Sequence, residues 1–97
     1  MPKLIKVVKS TDPKKKLEAH FKTDSGRTKI TRFGSAGMDD YTITKDKEQR
    51  SRYRARHKKD LDTKDETRPG YLSYYILWGD STSRNENISA YKKRFNL

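Results

Sequence analysis

The sequence predicts an α+β fold, a three-stranded antiparallel β-meander followed by about three helices, one of them strongly basic. Three observations carry this. Short apolar or alternating runs separated by turn chemistry occupy the residues before Gly34. Lys45–Lys59 then runs without Gly or Pro, and every residue in it tolerates a helix. Capping patterns and apolar residues at helical spacing follow towards the C-terminus.

In the first run Leu4, Ile5, Val7 and Val8 are aliphatic, and Ser10-Thr11-Asp12-Pro13 closes it with turn residues. Met1 to Lys9 reads as this strand. Leu17, Ala19 and Phe21 alternate with Glu18, His20 and Lys22, the period of a half-buried second strand. Thr23-Asp24-Ser25-Gly26 turns the chain into Thr28–Phe33, where Ile30 is the expected core contact. Short turns favour antiparallel neighbours. Gly34-Ser35-Ala36-Gly37 breaks the pattern, and its two glycines suggest special dihedrals. A nucleotide-binding loop would need a strand–GxxxxGK[ST]–helix context, so the segment reads as a structural turn. Its N–H groups could instead cradle a phosphate.

The basic helix should start at Thr44 or Asp46, because Asp46 and Gln49 have capping-box spacing. On its wheel Arg50, Tyr53, His57 and Leu61 share one side, while Lys45, Arg52, Arg56 and Lys59 gather on the other. Tyr53 and Leu61 should anchor it to the sheet. Asp60–Arg68 is a polar linker. Tyr71–Trp78 is the most apolar stretch, and Thr67 as N-cap, Pro69 in the first turn and Gly79 as C-cap favour a short buried helix. Its Tyr, Ile and Trp also suit a strand. Ser83 and Glu86 form a capping box for a last helix carrying Ile88, Tyr91 and Phe95, with Lys92, Lys93 and Arg94 in its final turns. The predicted core joins Leu17, Phe21, Ile30, Tyr53, Ile76, Trp78, Ile88, Tyr91 and Phe95.

Composition bounds the rest. The 97 residues carry 24 Lys+Arg against 13 Asp+Glu, a formal charge of +11. Only 30% are hydrophobic, low for an independent domain, although six Tyr, three Phe and one Trp each bury a large area. One domain, residues 1–97, with a thin core is expected, and a second copy of the chain could cover what remains exposed, giving a homodimer. Without cysteine, disulfides and thiolate metal sites are excluded. No apolar run approaches the roughly 18 residues of a membrane span, and the N-terminal residues lack a signal-peptide core. The expectation is a soluble, intracellular, unsecreted protein.

Eight cations fall among the fifteen residues Lys45–Lys59, opposed there only by Asp46 and Glu48. The commonest partner of such a field is a polyphosphate backbone. The candidate contacts are Lys45, Arg50, Arg52, Arg54, Arg56, Lys58 and Lys59, extended by Arg27, Lys29 and Arg32 if the third strand lies beside the helix. Phosphate contact requires no base-reading code, so binding without sequence preference is expected, most simply to duplex DNA. The two histidines, His20 and His57, lie on separate elements, and no Ser-His-Asp or metal-ligand pattern is visible. Asp39-Asp40 suits a cap or a partner for arginine better than a cation site. The reading is therefore a non-enzyme, with no catalytic residues, cofactor, metal or small-molecule substrate, and no membrane role. An assembly protein gripping acidic protein surfaces is the alternative.

The segment Lys29-Ile30-Thr31-Arg32-Phe33-Gly34, with Gly37, Asp40-Tyr41-Thr42, Lys45-Asp46, Arg50, Tyr53 and Arg56-His57, resembles a known group. So do Gly70-Tyr71-Leu72 and Ile76-Leu77-Trp78. The resemblance is to small basic, largely uncharacterised proteins of large nucleocytoplasmic DNA viruses of algae and amoebae. It implies a viral protein in the virion and in the infected cell, in the nucleus or a cytoplasmic viral factory, acting on a large DNA genome. It supplies no catalytic residues.

Overall fold

The computed structural model describes residues 2–97; Met1, read as the start of the first strand, lies outside the described residues. Strands β1 (Lys3–Lys9), β2 (Lys15–Lys22) and β3 (Thr28–Ser35) form an antiparallel sheet in the order β1-β2-β3. The β1–β2 turn is closed by side chains: Ser10 Oγ accepts the Asp12 N–H and Asp12 Oδ1 accepts the Lys14 N–H. This is the local bonding that makes Ser and Asp turn residues.

Alternation on β2 sends Leu17, Ala19 and Phe21 towards the helices, and Ala19 and Phe21 are fully buried. β1 cannot follow the same rhythm. Its register shifts between Leu4, paired with Phe21, and Lys6, paired with His20. The extra residue, Ile5, makes a bulge that lets both Leu4 and Val7 share the core face and leaves Ile5 itself exposed. β3 corrects the sequence reading. Phe33 and Thr31 point inward, so Ile30 falls on the outer face and is 43% exposed. A strand can bury only one parity, and the larger Phe33 decides it. Thr31 joins the core face because its hydroxyl donates to the Thr67 carbonyl at 2.8 Å.

Four helical elements follow. Asp40 caps α1 (Tyr41–Thr44), a short helix that the sequence did not predict. Lys45, at φ 58, bends the chain towards α2 (Lys47–His57). Asp46 caps α2 as expected, its carboxylate accepting the Glu48 and Gln49 N–H groups at 3.0 and 3.1 Å. Gln49 turns aside to accept the Thr44 hydroxyl. α2 tightens into a 3₁₀ segment, Lys58–Thr63. α3 (Pro69–Leu72) opens with Pro69 in its first turn and widens into a π-helical turn, Ser73–Leu77. The apolar stretch is thus helical. Thr67 does not cap it: its N–H and hydroxyl both turn to Asp65, and Arg68 stands at the cap position. α4 (Arg84–Arg94) starts at Ser83, whose Oγ accepts the Glu86 N–H.

The core lies between the sheet and the Tyr71–Trp78 segment, with α4 on that segment's far side. Phe21, Ile76, Trp78 and Tyr91 are buried as expected, and Leu17, Tyr53, Ile88 and Phe95 pack around them half-buried. Leu4, Phe33, Leu72, Leu77 and Leu97 complete it. Tyr71 and Tyr91 donate their hydroxyls to the carbonyls of Leu61 and Glu66, pinning the polar linker. Gly79 is where no side chain fits, since a Cβ there would stand 2.1 Å from the Tyr75 carbonyl oxygen.

Candidate nucleic-acid interface

The inner side of α2 sits on the Tyr71–Trp78 segment. Tyr53 stacks on Trp78 with centroids 4.2 Å apart and 7° between planes, and His57 stacks on the opposite face of Tyr53 at 4.1 Å. The sequence reading had this helix anchored to the sheet by Tyr53 and Leu61. Instead the π turn stands between them, because its wide final turn leaves carbonyl groups pointing at α2. Arg54 donates to the carbonyls of Tyr74 and Trp78, at 3.3 and 2.8 Å, with its guanidinium 4.1 Å above the Tyr74 ring. Arg50 donates to the Gly79 carbonyl and pairs with Asp80 at 2.7 Å. Two of the candidate phosphate contacts are therefore committed to holding the helix in place. Arg54→Gln should lower stability by about 1–3 kcal/mol by leaving carbonyls without their donor. Arg52→Gln should stay within about 0.5 kcal/mol. Paired urea titrations check both.

On the outer side Lys45, Arg52, Arg56, Lys58 and Lys59 are exposed, as is Lys47, which the candidate set omitted. Its signal was available: eleven residues, about three turns, place it on the same flank as Lys58. The ion pair nearest this surface joins Arg52 to Glu48 at 3.9 Å, long and solvated. Between the cations α2 exposes only Glu48, Ser51 and Ala55.

The β3 cations do not join this surface. Arg27 is in the β2–β3 turn. Lys29 Nζ donates to the Thr67 hydroxyl at 2.8 Å. Arg32 points to the outer face of the sheet, where it lies 3.4 Å from Glu18 and donates to the Thr11 hydroxyl. There Glu18, buried although it faces away from the core, also accepts the Thr11 N–H and pairs with His20 at 2.6 Å. The Thr11 backbone bond leads in holding its carboxyl down at about 2, aided by His20 and Arg32 and opposed by burial. A depressed carboxylate stabilises the fold above its unfolded value and loses that contribution as pH falls through the folded one. Melting temperature should thus fall from about pH 4.5 towards 2, and Glu18→Gln should flatten that decline while lowering stability at neutral pH.

Beside α2 lies a cavity of about 590 Å³. Its walls include Lys15 and Lys16 of β2, the Gly34–Asp40 loop, Tyr53, Arg56 and His57 of α2, and Trp78. Gly34 and Gly37 have φ of 78° and 81°, the special dihedrals their spacing suggested. Asp40 is fully buried at the edge of this cavity. Burial acts to raise its carboxyl, but the Lys16 ammonium at 2.6 Å, the Thr42 hydroxyl and Arg84 at 3.4 Å hold it below its usual range. Asp40 is the cap and cation partner the sequence suggested. His57 Nδ1 lies 3.1 Å from Asp60 Oδ2. Among the described residues no group of three His, Cys, Asp or Glu could hold a metal ion, and no helix is long and apolar enough to cross a membrane.

Residues 5–57, more than half of the sequence, match a family of unknown function, DUF5754. The chain belongs to DUF5754. The DUF5754 match takes in the sheet from Ile5 of β1 onward, the glycine loop, α1 and the whole of α2, and it stops before the Tyr71–Trp78 segment and α4. No curated protein and no solved structure matches the chain.

Proposed function

We propose that the protein binds duplex DNA with little sequence preference and helps compact or organise a viral genome. The observation that carries this is the set of exposed, scarcely compensated cations Lys45 at the α1–α2 bend and Lys47, Arg52, Arg56, Lys58 and Lys59 along α2 and its 3₁₀ extension. The eleven residues of α2 span about 16 Å, a length over which one strand of a duplex presents about five phosphates. Phosphate contacts position a protein without reading sequence, so little sequence preference is expected of this surface. The viral setting rests on the sequence resemblance.

A second reading is assembly on acidic protein surfaces. It draws support from the outer face of the sheet, where Val8 and Ile30 are exposed beside Lys6 and Arg32. Pairing with a second copy is a separate proposal; light scattering that gives a monomer mass at high concentration ends it. The DNA reading is tested by electrophoretic titration of duplex, single-stranded DNA and RNA at two salt concentrations. Wild-type protein should shift duplex at about 0.15 M salt and micromolar concentration. Failure to do so ends the reading.

A further inference from the structure

The geometry points to the cavity beside α2 as a binding site for a nucleoside phosphate, its base against the His57 ring and its phosphate between Arg56 and Lys15. The cavity's volume, about 590 Å³, lies within the range of pockets that enclose small organic ligands. Its aromatic wall is a column rather than a scatter of rings. Tyr53 has a ring against each face, Trp78 at 4.2 Å and His57 at 4.1 Å, whereas His57 ends the column with 40% of its side chain exposed. A planar ligand would extend that stack by one ring. Asp60, 3.1 Å from Nδ1, fixes the imidazole plane in advance, which reduces the ordering cost of stacking.

Charge assigns the other half of the ligand. Of the ionic groups around the cavity, Lys16 and Asp40 are paired with each other, and His57 is paired with Asp60. Arg56 and Lys15 are exposed cations contributed by two different elements, with Asp39 the exposed acid on the rim. The proposal shares phosphate chemistry and Arg56 with the DNA reading, and otherwise uses the cavity flank of α2 rather than its outward side. It adds a small ligand that the sequence alone did not suggest. Free nucleotide and the unpaired end of a strand present the same base and phosphate, and the test separates them.

Trp78, the sole tryptophan, lines the cavity and reports on it. The full chain is titrated with AMP, adenosine and inorganic phosphate while Trp78 emission is followed. AMP should change the emission with sub-millimolar affinity, and adenosine or phosphate should bind at least about tenfold more weakly. His57→Ile, which keeps bulk over Tyr53 but removes the aromatic face, should weaken AMP about tenfold. Arg56→Gln and Lys15→Gln alter exposed side chains, so they remain informative if His57→Ile fails to fold. They should weaken AMP but not adenosine. The proposal is overturned if millimolar AMP leaves the emission unchanged, if phosphate binds as well as AMP, or if both Gln variants bind AMP as wild type does. Displacement of AMP by single-stranded oligoadenylate at lower concentration identifies a strand as the source; resistance to displacement identifies a free nucleotide. Duplex shifts measured alongside separate the two claims. Duplex binding without AMP binding ends the cavity proposal alone, and AMP binding without duplex binding ends the DNA reading alone.

Discussion

Trp78→Ala should destabilise the protein by about 3–5 kcal/mol, the cost of emptying a buried aromatic site. The indole is 6% exposed and joins the core to α2 through the Tyr53 stack. Its loss removes both the area buried beneath α2 and the face that orders Tyr53. For a domain of this length the whole stability is about 5–15 kcal/mol, so the variant stands near its folding threshold. At about 4–8 °C per kcal/mol, its melting point should drop by more than ten degrees. Wild-type emission should be blue-shifted, as befits a buried indole. Emission already at the water-exposed wavelength, or a loss below about 1 kcal/mol, would show that the stack does not hold the helix.

Charge reversal on the outward side of α2 should have the largest effect on binding. If wild-type protein neutralises about four to six phosphates, log affinity for duplex falls with log salt at a slope of roughly −4 to −5. Arg52 and Arg56 are two of the exposed cations, so Arg52→Glu with Arg56→Glu should flatten the slope by about two and weaken every sequence alike. A base reader would instead lose discrimination at particular positions. Neither residue supports the fold through a core contact, and unchanged melting would confirm that the loss is electrostatic. If the variant keeps wild-type duplex affinity but loses capture of an acidic protein, the assembly reading replaces the DNA one.

Arginines two residues apart on α2 do opposite jobs, and the sequence could say only half of why. A helical wheel turns Arg50 inward and Arg52 outward. Nothing local shows that Arg54, at the boundary, reaches the carbonyls of Tyr74 in the π turn and of Trp78 just after it, twenty and twenty-four residues away. Those acceptors exist only once the turn widens. Ile30 makes the same point in the sheet: β-branching marked it as core, but Phe33 and the Thr31–Thr67 bond set the parity against it.

By itself the sequence determined the meander, the starts of α2 and α4 at Asp46 and Ser83 and the excess of cations on α2, while it left Tyr71–Trp78 open between helix and strand. These depend on residues within one or two turns of each other, through alternation, side-chain caps and the wheel. Tertiary structure alone decided the bulge at Ile5, the burial of Glu18, which arginines remain free, and the cavity with its ring column. Each depends on groups distant in the chain, Leu4 with Phe21, Tyr53 with Trp78 and Lys16 with Asp40. Local periodicity records that a residue is apolar or charged, while its partner is chosen by packing.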